Sequence, residues 1–187
     1  MARPHLIIVS GPAGAGKTTL AHRVAAEIGC PALCRDEIKE GMVHATPGFV
    51  PAVSDPLTMR TYELFFTTIR LFLHAEVTHV AEAAFQDRLW RQGLEPVLEL
   101  ADLRVIRCQV AEPTAHDRAT RRLESVSSRR AHADQAHLAA AQPFVPIALD
   151  VPTLDVDTSE DYRPGLAEIV AFAGSRGGRR SAPLSEH

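Results

Sequence analysis

The chain begins with a compact apolar run. His5 to Ser10 carries Leu6, Ile7, Ile8 and Val9 in succession, the pattern of a short buried strand. Gly11 to Gly16 interrupts it with a glycine-rich turn. From Lys17 to Ile28 the apolar period becomes helical, with Leu20, Val24 and Ile28 on one stripe, and Gly29 is placed to stop the helix. Pro31 to Cys34 reads as a second short strand, with Asp36 as a candidate cap for the helix that follows. His44 to Pro56 contains Pro47, Gly48, Pro51 and Pro56 and reads as a long loop. Leu57 to His74 is helical in pattern, and Val77 to Ala83 strand-like. A helix around Leu89 to Ala101 and a strand at Leu103 to Val110 follow. Thr114 to Arg130 predicts an Arg-rich helix, and Asp134 to Ala141 another short one. Thr153 to Val156 and Pro164 to Phe172 supply a last strand and a last helix. Gly174 to His187 has little to bury and reads as a disordered tail.

Strands and helices therefore alternate, which predicts a parallel sheet with helices on both faces. Ligands in such folds sit beyond the carboxyl ends of the strands. At 187 residues one domain is the expectation. The hydrophobic fraction of 45% suits a packed core and excludes a disordered chain. A net charge of −3 offers no basic footprint and argues against nucleic acid as a partner. No apolar run reaches the roughly 20 residues that cross a bilayer, and Leu6 to Val9 is too short for a secretory core. A cytoplasmic protein is the expectation. Cys30, Cys34 and Cys108 are read as free thiols, because an odd count cannot pair within one chain. The histidines form no evident ligand constellation, so no structural metal is expected.

The sharpest chemical signal is Gly11-Pro12-Ala13-Gly14-Ala15-Gly16-Lys17-Thr18-Thr19. It matches G-x-x-x-x-G-K-[ST], with a strand before it and a helix after it. Glycines let successive backbone N–H groups turn toward one anion, and the helix N-terminus adds partial positive charge. Lys17 is expected on the β- and γ-phosphates and the Thr18 hydroxyl on Mg²⁺. Only two of the basic residues are lysines, Lys17 and Lys39; the other eighteen are arginines. The chain is small for an oligomeric ATPase, and it lacks the N-K-x-D motif of switch GTPases and the L-S-G-G-Q signature of transporter ATPases. A kinase with a small acceptor fits its size best.

Other segments fall into order around this loop: Asp36-Glu37-Ile38-Lys39-Glu40, Glu82-Ala83-Ala84-Phe85, Arg129-Arg130-Ala131-His132-Ala133-Asp134 and Val156-Asp157-Thr158. With the phosphate loop, they make the chain resemble P-loop kinases related to polynucleotide 5′-kinase, zeta toxins and chloramphenicol phosphotransferase. More narrowly, it is similar to a bacterial branch of small "AAA family ATPase" kinases. The resemblance runs from about His5 to Phe172.

It implies a P-loop NTPase fold, a three-layer α/β/α sandwich with five parallel strands. It also implies a small helical Arg-rich lid over about residues 114–141, within a kinase domain of residues 1–173 and a tail of 174–187. Many relatives carry R-H-P-G-H in a longer lid, where this chain has Arg130-Ala131-His132. By the resemblance Asp36 is the base for an acceptor hydroxyl, against the plain helix cap that the residues alone allow equally. Lys39 is a candidate acceptor contact or a solvated charge. Glu82 is a candidate for Mg²⁺ through water or for the acceptor, and Phe85 for the acceptor pocket or the core. Arg118, Arg122 and Arg130 are the lid arginines expected at the phosphates, with Arg121 and Arg129 as solvated companions. His132 and Asp134 are candidates to latch the lid, and the His44–Pro56 loop, with Phe49, to bind acceptor. ATP is the expected donor, with GTP open, and Mg²⁺ the expected ion. A small-molecule hydroxyl is the main expectation for the acceptor. A polynucleotide 5′-hydroxyl kinase and a nucleotide-binding regulator with little transferase activity are the rivals.

Overall fold

The structure is a computed structural model that describes residues 3–52, 55–125 and 144–175; the side chains of residues 88, 89 and 122–125 are also outside the description. Arg129, Arg130, His132 and Asp134, the expected helix Asp134 to Ala141, and most of the expected tail lie outside the described residues.

Among the described residues, five strands alternate with six helices. They are β1 (His5–Ser10), α1 (Lys17–Ile28), β2 (Ala32–Cys34), α2 (Arg35–His44), α3 (Pro56–His74), β3 (His79–Glu82), α4 (Asp87–Leu94), β4 (Asp102–Gln109), α5 (Glu112–Ser125), β5 (Thr153–Asp157) and α6 (Leu166–Gly174). The strands form one all-parallel sheet in the order β2-β3-β1-β4-β5. No helix of the described residues is long and apolar enough to cross a membrane.

Alternate side chains of β1 build the two cores, as a strand's period of two requires. Leu6 and Ile8 pack with Phe65, Phe66 and Ile69 of α3 and with Trp90 and Leu94 of α4. Ile7 and Val9 pack with Leu20 and Val24 of α1 and Ile169 of α6. Because β1 is buried on both faces, its sequence is continuously apolar. Between β4 and β5, Arg107 donates two hydrogen bonds, of 2.6 and 2.8 Å, to its directly opposed neighbour Asp155.

Three local expectations are corrected. Asp36 does not cap α2: β2 runs straight into the helix, the N-cap position is Cys34, and Asp36 lies inside the first turn. The third strand is only His79–Glu82. The fourth helix stops at Leu94 and tightens into a 3₁₀ turn over Glu95–Val97, where Pro96 removes an N–H that the helix needs.

The topology brings three strand ends together. Glu82 is in register with Val9 on one side and Cys34 on the other. The glycine loop, the end of β3 and the start of α2 therefore share one carboxyl edge of the sheet.

Candidate active site

The glycine loop is shaped by its backbone. Gly14 and Gly16 hold left-handed φ values of 77° and 70°, and Gly16 is the N-cap of α1. Gly14 is also fixed by contact: a Cβ there would lie 2.0 Å from the Ala115 carbonyl oxygen of α5. A side chain at this position would collide with backbone, which has little freedom to yield. Ala15 is fully buried behind the loop, and its carbonyl accepts from the Thr158 hydroxyl at 3.0 Å.

Lys17 folds back so that its ammonium donates to the Pro12 carbonyl at 2.9 Å. The same Nζ is 4.0 Å from Glu82 Oε1. The Thr18 hydroxyl donates to Glu82 Oε2 at 3.1 Å. Glu82 is almost wholly buried at the end of β3. Burial raises its carboxyl pKa and Lys17 opposes that; the charge of Asp36 raises it further, and the Thr18 hydrogen bond lowers it. The net shift is upward. A carboxylate in such a place calls for more positive charge than one lysine at 4.0 Å supplies.

The residues fit a small hard cation. Thr18 and Glu82 already point oxygen atoms at each other, and Asp36 is close enough for its charge to act on Glu82. An all-oxygen set of this kind, completed by phosphate and water, suits Mg²⁺. Asp36 accepts from Arg35 Nη1 at 3.0 Å and stays partly exposed.

Two other expected residues are turned inward. Lys39 is not a solvated charge, and its ammonium is already engaged within the protein. Its ammonium is buried, donating to Asp55 Oδ2 at 2.7 Å and to the Thr58 hydroxyl at 3.0 Å. Asp55 in turn caps α3, accepting from the Thr58 amide. Burial pushes the Asp55 carboxyl up, but the hydrogen bond and charge of Lys39 and the Thr58 groups outweigh it, leaving the pKa below its ordinary value. An unpaired ammonium at this depth would cost several kcal/mol, so the pair is a structural clasp between α2 and α3.

Phe85 is core, not pocket wall. It is fully buried, 5.0 Å from Trp90 and 5.9 Å from Phe65 between ring centroids. Its φ of 47° is left-handed and costs about 1 kcal/mol or more. Burying the ring contributes about 2–3 kcal/mol, so packing prevails over backbone strain.

A cleft of about 330 Å³ opens beside the loop, bounded by Gly14, Gly16, Thr19, Arg118, Thr158 and Tyr162. Arg118 of α5 lines it, with its guanidinium donating to the carbonyls of Thr158 and Ser159. Arg23 stacks over Tyr162 at 5.2 Å from the ring centroid. Of the other lid arginines, Arg122 has its backbone on α5 but no described side chain. The motif reading missed Arg35, Arg23 and Tyr162; the Val156-Asp157-Thr158 match pointed to the last of these segments without giving it a role. A larger hollow of about 540 Å³ lies at the opposite edge of the sheet, near His5, Cys30 and Gly174. Neither the glycine loop nor Glu82 or Asp36 lines it; its acidic residue is Glu76.

No curated protein matches the sequence. Similar folds occur among solved structures. A protein of Chloroflexus aurantiacus thought to be a kinase is 23% identical, covers 91% of this chain and 96% of its own, and superposes with a TM-score of 0.78. The Mycobacterium tuberculosis APS kinase CysC, solved with AMPPNP and APS, is 14% identical over 94% of this chain and all of its own, with a TM-score of 0.63. A chain of the Pnkp1/Rnl/Hen1 RNA repair complex is 16% identical over 80% of this chain and 50% of its own, with a TM-score of 0.56. The fold is thus a P-loop kinase-like α/β fold. Residues 6–145 match the AAA_33 model, an AAA domain, and on that match the chain belongs to the AAA_33 family.

Proposed function

We propose that this protein is an ATP- and Mg²⁺-dependent kinase that transfers the γ-phosphate to a hydroxyl of a small-molecule acceptor. The observation that carries the reading is the convergence at one strand edge of Lys17, Thr18 and Glu82, with Asp36 beside them. The loop amides and Lys17 hold the β- and γ-phosphates. The cleft along Arg118 and Tyr162 takes the nucleoside. Thr18 directly, and Glu82 through water, are the residues that would hold Mg²⁺, which supplies charge neutralisation when bound.

Asp36 accepts the proton of the acceptor hydroxyl as its oxygen forms a bond to the γ-phosphorus. The bond from that phosphorus to the β–γ bridging oxygen breaks, and ADP leaves with the electron pair. Lys17 offsets the charge that develops on the bridging oxygen. Arg122 and Arg130 are proposed to close over the transferred group, and Arg118 to brace the cleft.

The test is γ-phosphate transfer from ATP and GTP, with Mg²⁺, to sugars, nucleosides, hydroxylated antibiotics and 5′-hydroxyl oligonucleotides. We expect a phosphorylated small molecule and a fall of about 10²–10³ in rate for Lys17→Ala. An oligonucleotide product with strong salt dependence would favour the reading that the RNA-repair neighbour suggests. Tight nucleotide binding without any product would instead favour a regulator.

A further inference from the structure

One cluster of reactive side chains lies outside the machinery described above. His22 of α1, Cys34 at the end of β2 and Glu37 in the first turn of α2 are 12 and 15 residues apart in sequence, counted from His22. The fold brings their ligand atoms within 4.8 Å of one another. His22 Nε2 is 3.6 Å from Cys34 Sγ and 2.7 Å from Glu37 Oε1. One ring nitrogen thus faces both a thiol and a carboxylate.

We propose that His22, Cys34 and Glu37 bind a zinc-type divalent cation, which staples α1 to the first turn of α2. The donor set is one sulfur, one imidazole nitrogen and one carboxylate oxygen, the chemistry zinc takes. Tetrahedral zinc, with bonds of about 2.3 Å to sulfur and about 2.05 Å to nitrogen, separates those two atoms by about 3.6 Å. That is the separation found between Cys34 and His22. The same geometry puts nitrogen and oxygen about 3.3 Å apart, so Glu37 must swing outward by roughly 0.6 Å. Glu37 is half-exposed and has room to do so.

The charges nearby favour a cation: the carboxylates of Glu82, Glu37 and Asp36 all act on the Cys34 sulfur. Binding exchanges the thiol proton for the metal: the S–H bond breaks, an S–Zn bond forms and the proton passes to solvent. A neutral His22, the Cys34 thiolate and the Glu37 carboxylate together balance the double charge of the ion. Three protein ligands leave one position for water, reached from the solvent side of His22 and Glu37.

The test uses the tag-free full chain. Zinc is titrated in competition with a chromophoric chelator, and cobalt(II) serves as a spectroscopic probe. We expect one ion per chain, a thiolate-to-cobalt charge-transfer band, and a zinc-dependent rise in Tm. His22→Gln and Glu37→Gln, both at half-exposed positions, are expected to weaken binding roughly tenfold or more. Cys34→Ser is expected to remove the band, but Cys34 is core, so the two exposed variants decide the matter if it fails to fold. Failure to compete with the chelator overturns the proposal. So does binding without a thiolate band, which puts the ion on carboxylates, or binding of equal strength in His22→Gln and the parent.

Discussion

The two sides of the strand edge are built on different principles. On the side of β1 and α1, the site consists of backbone: left-handed glycines, a helix N-terminus, and a loop packed so closely on α5 that Gly14 has no space for a Cβ. On the side of α2 and α3, it consists of side chains that select one another: Lys39 with Asp55, Arg35 with Asp36, Asp55 with Thr58. On the proposed function the backbone side serves a chain of phosphates, a ligand common to many proteins, and the side-chain side faces the acceptor, whose chemistry the sequence leaves open. Glu82 stands between them and answers to Thr18, Lys17 and Asp36 together.

The largest expected effect separates the two sides. Asp36→Asn should lower transfer by about 10²–10⁴ while leaving nucleotide affinity close to that of the parent, measured by single turnover and by calorimetry. Equal losses in both would erase the division. The next effect concerns what holds the side-chain side together. Lys39→Met strands a buried carboxylate and should cost about 3–5 kcal/mol in chemical denaturation. Adding Asp55→Asn keeps a capping oxygen, removes the stranded charge and should recover much of that loss; no recovery would mean that the clasp is not electrostatic.

Glu82→Gln probes the residue shared by both sides. Its raised pKa means that the folded protein holds a proton that the unfolded chain gives up, so stability falls as pH rises from 4.5 through the raised value. The variant should lose that slope and melt higher at neutral pH, yet lose Mg²⁺-dependent transfer. A variant that retains transfer would remove Glu82 from the site. The smallest effect comes from the opposite end of the same strand. His79 is fully buried, and burial holds its pKa below 6.5. The unfolded chain therefore takes up a proton first as the solution acidifies, and stability declines below that value. His79→Phe should flatten the denaturation midpoint between about pH 7 and pH 5. An unchanged slope would assign the acid sensitivity elsewhere.

Local patterns carry far along this chain. The bounds of β1 and α1 and the stop at Gly29 can be read from apolar spacing and glycine placement, because they depend on neighbours within one turn or strand. Lys39 cannot be read that way: its partner Asp55 is sixteen residues distant, across a loop that the sequence leaves without a shape. Phe85 sits at a motif position, but its burial depends on the aromatic face of α3 and on Trp90. Asp36 looks like a cap until β2 is seen to enter α2 without a turn. His22 and Cys34 appear unrelated until β2 is laid beside α1. For Lys39, Phe85 and the His22–Cys34 pair the deciding contact is non-local, while the phosphate loop carries its own context.

Gly93 of α4 has a consequence for variation among relatives. A Cβ there would lie 2.3 Å from the Phe66 ring. The obstacle is a side chain, so a larger residue at 93 can be accommodated by a smaller one at 66, and the two positions should covary across the family. At Gly14 the obstacle is a main-chain carbonyl that every residue carries. No exchange at Ala115 removes it, so position 14 should stay glycine however far the lineage drifts.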